Sequence, residues 1–269
     1  MDVVPSNEAA PLAGRYHLEK LIARGGIAEV YRARDIAAGN TIVAIKLIPA
    51  NASARRDDGA GVERAADPRL LLRHPSIVSV LGGGDLPDGR VYIVMDFVDG
   101  EDLRQRLARE RRLAPATAIG ILRAICAGVE AAHRSGVVHG DLKPENVMLP
   151  RDGSPARLVD FVGARRTTPD GTILGTPAYM APEQLRGEPP CTRSDVFSVG
   201  VMAFEMLTGR LPFGRGHAGE ILLQQSRGVP RLAEVSACLD AAVRGALAFD
   251  ADRRPPSAAA FALLLESAC

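Results

Sequence analysis

The chain has 269 residues, 46% hydrophobic and 24% charged, with 33 Lys and Arg against 32 Asp and Glu for a formal net charge of +1. These proportions fit one large domain or two small lobes burying roughly three-quarters of the unfolded surface, and they exclude a disordered, collagenous or coiled-coil chain. A balanced charge gives no global field for nucleic acid or anionic lipid, and 4% aromatics with no Trp leave little for a base- or sugar-stacking platform. Cys126, Cys191, Cys238 and Cys269 form no CxxC pair, so zinc and redox motifs have no support and the thiols read as buried or incidental in a reducing compartment. No uninterrupted apolar run reaches the roughly 18 residues that a bilayer span needs. The best run, Phe197 to Leu207, is short and carries Glu205, and the first residues, Met1-Asp2-Val3, are acidic where a signal peptide would be basic. The chain is read as soluble and cytoplasmic.

In chain order, residues 1–13 are Pro- and Ala-rich and read as a flexible leader. Tyr16 to Leu18, Glu29 to Ala33 and Ile42 to Ile48 read as strands, with turns at Gly25-Gly26 and Gly39-Asn40. A polar stretch over 49–61 leads to a short helix ending near His74-Pro75. Two further strands are predicted at Ile77 to Leu81 and Val91 to Phe97, separated by a Gly/Asp/Pro turn. After Asp99-Gly100 the period changes. Apolar spacing predicts helices at Leu103 to Arg112 and Ala116 to Ser135. A helical turn is predicted at Pro182 to Leu185, a buried helix at Ser194 to Thr208, and helices at Ala218–Gln225, Leu239–Ala248 and Ser257–Ser267. A sheet-rich part followed by a helical part predicts two lobes with a cleft between them.

Seven segments carry candidate chemistry. Ile22 to Val30 is a small-residue turn between strands, which lets backbone N–H groups approach phosphates. Lys46 stands in the apolar strand Val43-Ala44-Ile45-Lys46. His139 to Leu149 is a polar island in which Asp141 and Asn146 lie five apart, a spacing that suits a carboxylate aimed at a hydroxyl and an amide aimed at a metal. Asp160 follows an apolar strand at Leu158-Val159. Gly175 to Glu183, Ser194 to Gly200 and Asp252 to Pro255 complete the set. The chain has only three lysines, Lys20, Lys46 and Lys143, in an Arg-biased composition, and two of the three fall inside these segments. A lysine kept in such a chain points to a place where guanidinium cannot replace ammonium.

Together, in this order and at these spacings, the segments resemble the eukaryotic-type Ser/Thr protein kinase family in its bacterial form, over about residues 14–267. The resemblance implies an α+β fold of two lobes. A small antiparallel-sheet N-lobe with one helix would cover about 14–97, and a larger, mainly helical C-lobe about 98–269. It implies ATP and Mg²⁺, with Mn²⁺ as the alternative ion. Ile22, Gly25 and Gly26 would cover the nucleotide, Lys46 would hold its α- and β-phosphates, and Val30, Ala44 and Met148 would sandwich the adenine. Met95 would be the gatekeeper and the Val98 backbone would face the adenine edge. Asp141 would accept or orient the substrate hydroxyl proton, Lys143 would neutralise the transferring phosphoryl group, and Asn146 and Asp160 would ligate the metal. Thr176 would sit near Asp141 and Lys143, Glu183 would pair with Arg254, and Asp195 would brace the catalytic loop. Aminoglycoside and choline phosphotransferases share the core, but the Gly175 to Glu183 segment, a peptide-docking floor, belongs to protein kinases.

Four departures from the family stand out. Ala23 and Ala28 stand where glycines are usual, which restricts positive φ in the glycine loop. The expected Glu partner of Lys46 falls near Ala65, where Glu63 and Asp67 are the nearest acids and Pro68 interrupts a helix. Gly140 replaces the Arg that pairs with a loop phosphate, so activity is expected not to depend on phosphorylating Thr167, Thr168 or Thr172. Val162 replaces the Gly of Asp-Phe-Gly, and its β-branch stiffens that turn. Two functions follow. One is Mg·ATP-dependent phosphorylation of protein Ser/Thr, autophosphorylation included. The other is a pseudokinase serving as a nucleotide-binding scaffold or regulator. The expected partner is a Ser/Thr-bearing protein or peptide docked near Glu145, Gly175–Tyr179 and the helix after Gly216, with Glu145 favouring an upstream basic residue. Self-association is a further expectation; nucleic acid and membrane are not.

Overall fold

The computed structural model describes residues 10–24, 28–50, 72–161 and 176–268. The chain divides into two compact units, Met1–Arg73 with Val78–Val98, and His74–Ile77 with Asp99–Cys269.

The first unit is built on a five-stranded antiparallel sheet: β1 (Tyr16–Arg24), β2 (Glu29–Asp35), β3 (Thr41–Ile48), β4 (Val80–Asp85) and β5 (Val91–Asp96), in the order β1-β2-β3-β5-β4. Strand alternation sends Ala33, Val43, Ile45, Leu47 and Val94 to one face, where they pack with Tyr16 and Leu86 as the core of this unit. Leu12 bridges back to Tyr16 and packs against the same core. Between β2 and β3 the turn is held by Asp35, which accepts from the Arg15 guanidinium at 2.8 and 2.7 Å and from the Ala37 N–H at 3.1 Å. Gly39 and Asn40 close it in the left-handed region.

The strand predicted at Ile77 to Leu81 lies further on. Residues 74–77 belong to the second unit, where Leu158 N–H donates to Ser76 and Ile77 bridges Leu158 in parallel. The glycines read as turn formers, Gly82, Gly83 and Gly84, are inside β4 instead. A Cβ on Gly84 would come within 3.1 Å of the Tyr92 ring, so the missing side chain makes room for an aromatic on β5. The turn falls at Leu86–Arg90, closed by Leu86 N–H to Arg90 and by Gly89 at φ 80°. The expected N-lobe helix, with Glu63, Ala65, Asp67 and Pro68, lies outside the described residues.

The second unit is mainly helical, with a small sheet of β6 (Gly100–Asp102), β7 (Val147–Pro150) and β8 (Arg157–Leu158). Its helices are α1 (Leu103–Glu110), α2 (Pro115–Arg134), α3 (Pro182–Leu185), α4 (Thr192–Thr208), α5 (Ala218–Ser226), α6 (Ala237–Ala246) and α7 (Ala258–Glu266). Side chains set several boundaries. Asp102 and Gln105 form a capping box on α1, and Ser236 and Ser257 cap α6 and α7. Every residue of α4 from Ser194 to Leu207 is buried, and Gly209 ends it at φ 72°. Around α4 pack α2, α6 and α7. By length and composition α2 could cross a membrane, its most apolar window having mean hydropathy 1.3. Its apolar side, including Leu122, Ile125 and Val129, is instead fully buried against neighbouring elements, as in a core helix.

Candidate active site

In the first unit, the face of the sheet opposite its core carries the predicted nucleotide contacts. Val30 on β2 and Ile93 on β5 lie directly opposite Lys46 on β3, and Met95 lies directly opposite Ala44. Val30, Ala44, Lys46 and Met95 therefore share one face. Ala44 is buried, and Val30, Lys46 and Met95 are half-buried. Ile22 sits near the end of β1 and is exposed, and half-buried Val98 follows β5. Gly25 and Gly26 lie outside the described residues.

In the second unit, one loop gathers the polar island. Its anchor is Asp195 in the first turn of α4, 1% exposed. Its two carboxylate oxygens accept the backbone N–H of His139 at 2.9 Å and of Gly140 at 2.8 Å, with His133 Nε2 at 2.8 Å. Gln184 Nε2 donates to the Gly140 carbonyl at 2.9 Å. Gly140 adopts φ 70°, and a Cβ there would lie 2.9 Å from Pro190 Cγ. Read from sequence alone, Gly140 is a missing arginine. In the fold it is also a left-handed backbone position.

Downstream of Gly140 the chemistry-bearing side chains are tied together. Lys143 Nζ donates to Asp141 Oδ2 at 3.1 Å. Asn146 Nδ2 donates to the Asp141 carbonyl at 2.8 Å, and Val159 N–H donates to the Asn146 carbonyl at 3.0 Å. Asp141, Lys143 and Asn146 thus form one bonded cluster, and Asp160 follows directly on the strand end bonded to it. Asp141 and Lys143 keep side chains a quarter and a fifth exposed, so they can reach a substrate. Asp160 has φ 68°, a left-handed conformation that costs a non-glycine residue about 1 kcal/mol or more and that concentrates at functional sites. Phe161 beside it is buried and packs on the His139 ring, centroids 4.6 Å apart. That ring is itself held by the Val159 carbonyl and the Asp141 N–H, at 3.0 and 3.2 Å. Met148 stands on β7, opposite Asp102 on β6 and Arg157 on β8.

The chain matches the family model described as protein kinase domain over residues 16–262. It belongs to the protein kinase family. It is 37% identical over 266 residues to a probable serine/threonine-protein kinase, SCO3848, of Streptomyces coelicolor, covering 93% of this chain and 39% of that protein. It is 35% identical over 275 residues to the serine/threonine-protein kinase pkn3 of Myxococcus xanthus, covering 95% and 50%. With PknB of Mycolicibacterium smegmatis the identity is 35% over 263 residues, covering 92% and 42%. The chain therefore spans half or less of the length of these three curated relatives. Among solved structures, the PknI kinase domain of Mycobacterium tuberculosis superposes with a TM-score of 0.79 at 24% identity, covering 97% of this chain and 99% of that one.

In the second unit a buried ion pair ties α3 to the segment before α7. Arg254, its side chain fully buried, donates to both Glu183 oxygens at 2.7 and 2.9 Å. Burial pushes the Glu183 carboxyl up, but hydrogen bonds from Arg254 and Ser194 outweigh it and hold the group below the usual carboxylate range. Thr176 opens the 3-10 turn Pro177–Tyr179, at the edge of the described residues. Gly175, Val162, Thr167, Thr168 and Thr172 lie outside them. Sequence reasoning missed Arg104, Gln184 and Glu205, whose partners are far away in the chain.

Proposed function

We propose that this protein kinase domain transfers the γ-phosphoryl group of ATP to Ser and Thr hydroxyls of proteins. The observation that carries the reading is the bonded cluster of Asp141, Lys143 and Asn146, with Asp160 beside it. The donor set fits Mg²⁺. Asn146 spends its amide nitrogen on the Asp141 carbonyl, which leaves its amide oxygen, and Asp160 supplies a carboxylate, both hard oxygen donors. A bound Mg²⁺ neutralises charge on the phosphates. The residues of this chain do the rest. Asp141 orients the acceptor hydroxyl and takes its proton, and Lys143, held at 3.1 Å from Asp141, balances charge on the phosphoryl group in transfer. Within the first unit Lys46 binds the α- and β-phosphates, with Val30, Ala44 and Met95 on the same sheet face against the adenine. The relatives named serine/threonine-protein kinases, together with Thr176 beside the Pro177–Tyr179 turn, support Ser/Thr as the acceptor class.

The test is label transfer from γ-labelled ATP, with Mg²⁺ or Mn²⁺, to the chain itself and to a generic protein substrate. Lys46→Met and Asp141→Asn should each lower transfer by roughly 10²–10⁴-fold. Transfer that persists in both variants, or that is absent from the native chain, overturns the reading.

A further inference from the structure

Beside the catalytic loop lies a second charged cluster. Arg104, in the first turn of α1, gives Nε to Glu145 at 3.2 Å and Nη1 and Nη2 to the two Glu205 oxygens at 2.8 and 3.1 Å. The Tyr179 hydroxyl donates to Glu205 Oε2 at 2.5 Å and also meets Arg104 Nη2. Burial, and then Glu205, push the Tyr179 phenol up, so it is a neutral donor at neutral pH. The arrangement is a receptor for a guanidinium: two carboxylates, a phenol and a planar fork that satisfies them. Glu205 is buried, whereas Glu145 is 43% exposed and lies between Lys143 and Asn146 in the chain. Glu145 stands on the 3-10 turn Pro144–Asn146, four residues after Asp141 on the same loop, and a free carboxylate there would favour a basic side chain on a bound peptide.

We infer that Arg104 occupies this acidic site from within, so that it is the residue that sets substrate selectivity against a basic side chain beside the phosphoacceptor. A peptide Arg that approached Glu145 would meet a guanidinium already bonded to that carboxylate, and like charges at contact discriminate against the partner that carries one. The preferred substrates then carry neutral or acidic residues at the position facing Glu145. This reverses the basic preference that Glu145 implies on its own, and it rests on the protein-kinase reading of the loop.

The test measures peptide binding, so that it stays separate from turnover. Fluorescein-labelled Ser peptides that differ only by Arg or Leu at each upstream position in turn are titrated by anisotropy. The native chain should bind the Arg peptide several-fold more weakly than its Leu counterpart at the one position that faces Glu145, and the other pairs within about twofold; equal binding at every position overturns the inference. Arg104→Met should bind the Arg peptide roughly tenfold tighter than its Leu counterpart at one position, the strength of one charged hydrogen bond. Adding Glu145→Gln to that variant should abolish the gain. A purely structural Arg104 would change stability without moving this charge preference. Should Arg104→Met fail to fold, Glu145→Gln in the native background decides. Arg-peptide affinity unchanged within about twofold supports the inference, and a roughly tenfold loss overturns it. Preference for Arg in the native chain, no gain in Arg104→Met, or no binding by any peptide also overturns it. Label transfer to the same peptides is read in parallel, and its absence with the binding pattern intact would count against the kinase reading alone.

Discussion

Replacing Glu183 by Gln removes one charge from the buried pair with Arg254 while keeping nearly the same shape. In the native chain Arg254 spends two donors on Glu183, at 2.7 and 2.9 Å, and others on the carbonyls of Ala248, Arg193 and Phe249, at 2.8, 3.0 and 3.1 Å. Its guanidinium also lies 4.9 Å from the Phe197 ring centroid. Breaking a buried pair from one side costs about 3–5 kcal/mol, because the remaining charge stays desolvated. Arg254 keeps its carbonyl partners, so Glu183→Gln should fall near the lower end, about 3 kcal/mol. For a chain of this size that is roughly 6–12 °C in Tm. Arg254→Ala strips those carbonyls and opens a cavity as well, and should cost more. The pair also has a pH signature. Because the Glu183 carboxyl lies lower in the folded chain than in the unfolded one, its stabilisation is complete above about 4.3 and is lost as pH falls through the folded value. The native chain should lose stability on acidification below about pH 4.3 more steeply than Glu183→Gln. Urea unfolding of both proteins across this range measures it. A cost below about 1 kcal/mol, or equal acid slopes, would refute the reasoning.

Three further predictions concern the second unit. Gly128→Ala on α2 should destabilise by about 1–2 kcal/mol, against the usual gain of alanine in a helix, because the new Cβ would lie 2.8 Å from the Ser76 carbonyl oxygen, and urea unfolding gives the sign. Asp195→Ala leaves the N–H groups of His139 and Gly140 and the His133 ring without their acceptor, and should cost at least about 3 kcal/mol at one to three for each lost partner, measured the same way. Burial pushes the Cys126 thiol up to about 12, so a thiol reagent at pH 8 should label exposed Cys191 and Cys238 and spare Cys126 until the chain unfolds, a difference that peptide mapping would show.

How far each feature was legible depends on the range of the interactions behind it. Helices α1, α6 and α7 were readable because short-range signals set them, apolar spacing and a capping Asp102, Ser236 or Ser257 a few residues away. Strand β4 was misplaced for the opposite reason. Gly82 to Gly84 carry the local signature of a turn, and only Tyr92 on the neighbouring strand explains why glycine belongs in a strand there. The buried helix α4 reads as apolar, but its Ser194, Asp195, Ser198 and Glu205 become intelligible only when their partners on other segments are in view.

Motif order and spacing in the sequence carried the resemblance to the family, the order of sheet and helix, and the candidate polar residues from Lys46 to Asp160, because these are encoded by neighbours along the chain. Tertiary structure alone decided what surrounds each of them. Arg104 is separated from Glu145 by 41 residues and from Glu205 by 101, so the sequence shows an isolated glutamate at Glu145 and the fold shows one already bonded to an arginine. The physical reason is that a side chain's charge and hydrogen-bonding capacity are local properties, whereas their satisfaction depends on which distant segments packing brings within about 3 Å.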